Sequence, residues 1–164
     1  MRKQSISNML DYFNALDSGD SFRRMCVLDA LIFNVDRHLG NFGILIDNDT
    51  FKPLRMAPVF DHNQSLFPSV DDDHIGNLTW YASRSSPRFG TDLNVTAHAL
   101  LTDSIRSDLK NLHGFEFAQH PQLKAPDQRL HYLSELVNKQ IDNILDRTTA
   151  VSYTHLTLPT KLEV

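Results

Sequence analysis

The chain has 164 residues, of which 41% are apolar and 22% charged, with a formal net charge of −4. That length and composition suit one globular domain, and the acidic balance gives no electrostatic reason for direct nucleic-acid binding. The single cysteine, Cys26, excludes an intramolecular disulfide, and no apolar run approaches the ~20 residues of a membrane-spanning helix.

After Met1-Arg2-Lys3 the chain continues with Gln, Ser and Asn, not with a secretory apolar core. The cytoplasm is therefore the expected compartment, and the sequons at Asn63, Asn77 and Asn94 are read as chance. Residues 5–17 carry Ile6, Met9, Leu10, Phe13 and Leu16 at three- and four-residue steps, which predicts a helix with one apolar face. Ser18-Gly19-Asp20 breaks it, and Ser18 or Asp20 is suited to cap a second helix from about 20 to 33. That helix is apolar on several sides (Phe22, Met25, Cys26, Leu28, Leu31, Ile32) and is expected to be central, with the Cys26 thiol buried.

The apolar run VLDALIF ends at Phe33 and delivers a polar cluster of Asn34, Asp36, Arg37, His38 and Asn41. Phe42–Ile46 and Lys52–Met56 then read as a hairpin around a turn at Asp47-Asn48-Asp49-Thr50. Pro53 belongs at an edge or strand start, since it has no N–H to donate. Pro58 holds Ala57 extended and aims the chain at Asp61. The pattern brings Asp36, Asn41 and Asp61 towards one end of a hairpin. Two carboxylates and an amide oxygen there are suited to hold Mg²⁺ and orient a hydroxyl. Kinase-type phosphotransferases carry an Asp, an Asn five residues on, and a second Asp beyond a hairpin. The plain alternative is that Asp and Asn here are ordinary turn residues.

Asp36-Arg37-His38-Leu39-Gly40-Asn41-Phe42-Gly43, followed by Ala57-Pro58-Val59-Phe60-Asp61-His62-Asn63-Gln64-Ser65-Leu66, resembles the catalytic region of HipA-like serine/threonine kinases. These are bacterial enzymes of the protein-kinase-like superfamily, often the toxin half of a toxin–antitoxin pair. The order Asp-Arg-His is also similar to that of phosphatidylinositol kinases; in ordinary protein kinases the His and Arg come first. The resemblance implies that Asp36 is the catalytic base and that His38 braces the catalytic loop. It implies that Asn41 and Asp61 hold the metal ions that bridge the ATP phosphates, so the implied cofactors are ATP and Mg²⁺. Arg37 is expected to pair with a nearby carboxylate. A protein hydroxyl is the implied acceptor and a helix-turn-helix antitoxin the implied partner, with DNA reached only through that partner. His62-Asn63 stands where ordinary kinases have Phe-Gly after the metal-binding Asp.

Residues 62–95 have weak periodicity and many breakers. Asp71-Asp72-Asp73-His74 reads as a solvated acidic loop. Residues 83–88, Ser-Arg-Ser-Ser-Pro-Arg, form a basic, hydroxyl-rich stretch, placed after Asp61 where a kinase has its activation and substrate-binding segments. Helical spacing returns over 96–112 with a break at Thr102-Asp103 and a stop at His113-Gly114. Pro121 and Pro126 bracket a linker, and a long helix is predicted from Asp127 to about Arg147. His98, His113, His120 and His131 lack zinc-ligand spacing. Residues 151–164 break the pattern abruptly and read as a non-native, adapter-derived tail, so 1–150 is taken as the domain.

The expected fold is mostly α with a small β-hairpin, an α+β arrangement like a protein-kinase C-lobe without its N-lobe. Only about thirty residues precede the polar loop, and the chain has no glycine-rich phosphate loop and no strand lysine. Met1 is accordingly expected to be an internal Met of a truncated frame. Three readings follow: a HipA-like protein kinase lobe, a phosphotransferase lobe for a small molecule or lipid, or a non-catalytic fragment or binding module.

Overall fold

The computed structural model describes residues 5–146. Six α-helices run through them: α1 (Ile6–Asn14), α2 (Gly19–Leu31), α3 (Leu78–Ser83), α4 (Leu93–Leu100), α5 (Asp103–Asn111) and α6 (Asp127–Leu145). One antiparallel hairpin, β1 (Ile44–Ile46) and β2 (Pro53–Met56), follows α2, and a 3₁₀ turn over Asp72–Asn77 leads into α3. The fold is thus mostly helical with a small two-stranded sheet, as the patterning predicts.

The helix starts follow their cap chemistry. Ser5, Asp92 and Thr102 each accept a bond from the backbone N–H three residues on, opening α1, α4 and α5. Thr102 is where the spacing predicts a break, and 96–112 accordingly divides into two helices, the first starting earlier, at Leu93. Ser18 precedes α2 without capping it. Its hydroxyl donates to the Leu16 carbonyl and accepts from the Met56 N–H, so it ties the helix start to β2. Asp20 pairs with Arg24 on the helix surface.

Helix α2 is the central element, touching α1, α4 and α6. Its Val27, Ala30 and Leu31 pack with Ala97, Ile105, Leu109, Val137, Ile141 and Ile144. Its Phe22, Met25 and Cys26 pack with Phe13, Phe42, Met56 and Leu100, beneath the hairpin. Phe33, just past its end, packs with Val70, Ile75, Leu78, Leu133 and Leu136. Phe33 has φ 53°, which costs a non-glycine residue roughly 1–2 kcal/mol. Burying its ring returns about 1.5–3 kcal/mol, so packing holds the turn that starts the polar loop.

The hairpin is shorter at its first strand than the apolar run. Phe42 is drawn into the core, and the ladder starts at Ile44, paired with Met56. Pro53 opens β2, where a missing N–H is tolerated. Asp47 closes the turn by accepting the Asp49 and Thr50 N–H groups and the Thr50 hydroxyl. Residues 62–95, where periodicity is weak and breakers are many, hold the 3₁₀ turn, α3 and the start of α4. Ile75 and Leu78 bury against α6 and so supply the core that periodicity did not reveal. Residues 151–164, read as an adapter-derived tail, lie outside the described residues, as does Arg147. No helix among the described residues is long and apolar enough to cross a membrane.

Candidate active site

The polar loop between α2 and β1 is built on a buried ion pair. Arg37 is 2% exposed and Asp29, on α2, is 4% exposed. Asp29 faces Arg37 as a fork, one carboxylate oxygen accepting from Nε at 2.8 Å and the other from Nη2 at 2.7 Å. Asn34 adds its amide to the same carboxylate at 2.8 Å, and its backbone N–H bonds the Asp29 carbonyl. Nη1 of Arg37 donates to two carbonyls, Asn41 and Phe60, each at 2.7 Å. Nη2 also meets His62 Nε2 at 3.0 Å. Arginine can only donate, so Nε2 of His62 is the acceptor there. All five N–H donors of Arg37 therefore have partners.

This satisfies the main requirement on a buried charge. It also has a geometric consequence. Asn41 closes the polar loop and Phe60 immediately precedes Asp61, so one nitrogen holds the two motifs together across the hairpin. Arg37 thereby meets the expectation of a carboxylate partner; Asn34 belongs to the polar cluster read from the sequence, whereas Asp29 is a residue that reading passed over. Asp29 did leave a signal: a carboxylate inside the apolar run VLDALIF needs a buried partner.

The candidate side chains are placed as follows. Asp36 lies on the loop, its N–H bonded to Asn34 Oδ1 and its carbonyl accepting from Asn41 Nδ2 at 3.3 Å. That bond engages the Asn41 amide nitrogen, and the amide oxygen is the atom a cation would take. His38 Nδ1 accepts from the Gly40 N–H at 3.0 Å, bracing the loop tip. Asp61 is exposed, with φ 60°, a left-handed conformation that Asp tolerates better than most residues. The Asp36 carboxylate is paired at 2.9 Å with Arg88, from the basic stretch after α3. The members of this pair stand 52 positions apart in the sequence.

Donor chemistry decides what such a site suits. Asn41 Oδ1 and the Asp61 carboxylate are hard oxygen donors, fit for Mg²⁺ when phosphate and water complete its shell. Among the described residues no group of three or more His, Cys, Asp and Glu is arranged to hold a metal ion. A protein-only metal cage is thus absent from them, whereas Mg²⁺ carried by a nucleotide needs only one or two protein oxygens.

A stretch of 51 residues, 31% of this chain, is 43% identical to a serine/threonine-protein kinase, CtkA, from Helicobacter pylori. The match spans 15% of that kinase's length. It supports a kinase-like relation and does not single out the HipA-like branch. No family model and no solved structure matches the chain.

Proposed function

We propose that this chain is the catalytic C-lobe of a HipA-like serine/threonine kinase, using ATP and Mg²⁺ to phosphorylate a protein hydroxyl. The observation that carries this reading is the Arg37 clamp, which joins the Asn41 carbonyl to the carbonyl before Asp61. Mg-ATP, when bound, supplies the phosphoryl group and the neutralising cation. Asn41 Oδ1 and the Asp61 carboxylate are the groups to hold that cation. Asp36 is the group to orient the acceptor hydroxyl and take its proton. Arg37, Asn34 and His38 act as positioning residues, fixing the loop so that little reorganisation remains for the reaction itself.

The kinase-like relation to the Helicobacter pylori protein supports the same activity class. A cytoplasmic setting and a helix-turn-helix antitoxin, with DNA engaged only through it, complete the proposal. The test is phosphoryl transfer from labelled ATP by the protein expressed from its complete reading frame. Asp36→Asn and Asp61→Asn are each expected to lower transfer by ~10²–10⁴-fold with unchanged circular dichroism. Near-native transfer by either variant would overturn the assignment.

A further inference from the structure

The pair between Arg88 and Asp36 is a built feature. Three anchors fix the segment around Arg88. Its backbone N–H donates to the Val35 carbonyl at 2.9 Å, directly beside Asp36. The next residue, Phe89, packs edge-on against Phe22 and Phe42. Gly90 follows with φ 86°, where a Cβ would lie 2.7 Å from Thr96 Oγ1, so only glycine closes the turn against α4 without strain. Between Phe89 and the Asp29–Arg37–Asn34 network there is a cavity of only about 10 Å³. The segment therefore sits tightly on the loop, and its position is set independently of the Arg88 side chain.

That side chain is 66% exposed, and its Nη1 lies 2.9 Å from an oxygen of Asp36. Its guanidinium carries donors in the planar arrangement that matches a carboxylate. An exposed pair of this kind is weak and readily exchanged. Asp36 is also the group the proposed reaction needs free. A few residues before Arg88, Arg84 lies 4.4 Å over the ring of Trp80, extending a cationic and aromatic surface on the same segment.

We propose that Arg88 is a specificity-determining residue that recognises an acidic side chain next to the acceptor hydroxyl of a polypeptide. In the resting chain Arg88 holds Asp36. An arriving Asp or Glu takes over the guanidinium, and Asp36 is released to face the hydroxyl. This deepens the kinase reading and rests on it for the identity of the acceptor.

The probe is a short peptide with a central serine flanked by Asp and Glu, compared with the same peptide carrying Asn and Gln. Binding to the protein from its complete reading frame is followed by calorimetry, and phosphoryl transfer to the same two peptides is followed separately. The acidic peptide is expected to bind at least about tenfold more tightly, the worth of a charge-assisted contact. Arg88→Gln is expected to collapse or invert that ratio, and Arg88→Lys to keep part of it. Thermal unfolding of each variant checks that the fold is intact. Equal binding of the two peptides, or an acidic preference that survives Arg88→Gln, would overturn the proposal. Arg88-dependent binding without transfer to any acceptor would uphold the recognition site and defeat the kinase reading. Transfer that ignores peptide charge would do the reverse.

Discussion

Asp29 and Arg37 show how much a single buried pair is asked to do. Taking both charges out of water is costly, and the fork geometry plus Asn34 offsets that cost without making the pair a large net source of stability. Removing one partner is different, because it strands the other. Arg37→Met is expected to lower unfolding free energy by roughly 3–5 kcal/mol, measured by urea denaturation. The double variant Asp29→Leu/Arg37→Met should recover much of that loss, since no buried charge remains. It should not recover the proposed phosphoryl transfer, because the carbonyls of Asn41 and Phe60 would lose the nitrogen that joins them. Recovery of both would show that Arg37 serves stability alone.

At the scale of the element, the hairpin is held by its turn and its inner face. Phe42 and Met56 are buried, whereas Ile46, Phe51 and Leu54 are exposed, so little of the hairpin's stability comes from its outer residues. The turn depends on Asp47. Bonds from the Thr50 N–H and hydroxyl, and then from the Asp49 N–H, hold its carboxyl below the usual carboxylate range. A carboxylate with a lowered folded value stabilises above its unfolded value of about 3.9, and the contribution is lost as pH falls through the lowered value. Asp47→Asn is therefore expected to reduce stability at neutral pH and to flatten the acid limb below about pH 4. Urea unfolding across pH checks both parts. An unchanged acid limb would mean that the turn carboxylate does not couple to folding.

At the scale of the whole molecule, α2 is the meeting point of the core, and Cys26 on it is a natural reporter. Burial pushes its thiol up to about 12; the nearby Asp29 charge adds to the rise and Arg37 opposes it. The folded state therefore binds the thiol proton more tightly than the unfolded chain. Stability is full below the ordinary value of 9.0 and declines as pH rises above it. In native protein at pH 8 a thiol reagent is expected to label the buried Cys26 at least ~10³-fold more slowly than in urea, because reaction waits on opening of the fold. The labelling rate should follow global unfolding. Rapid labelling under native conditions would mean that α2 opens locally, and that the ion pair beside Cys26 is less buried than the fold implies.

The local rules of the chain were sufficient for much of this. Three- and four-residue spacing located α1 and α6, a break followed by an apolar run located α2, a cap threonine separated α4 from α5, and turn chemistry placed the hairpin between Asp36 and Asp61. The order of those residues also carried the kinase-like resemblance. These features depend on neighbours a few positions away, so they can be read along the chain. Partner choice cannot. Asp29 could be seen to need a partner, but which cation answered it, and that the same cation would bridge to Phe60, depends on how the hairpin folds back over α2. Ser18 has the chemistry of a helix cap, yet bonds β2 because Met56 comes within reach. The 3₁₀ turn and α3 have too short a repeat to announce themselves, and they form because α6 offers them an apolar face. The pairing of Arg88 with Asp36 is decided by tertiary structure alone: the half-buried Phe89 packs against aromatic rings contributed by α2 and the polar loop, and that packing sets the guanidinium beside a carboxylate far away in sequence.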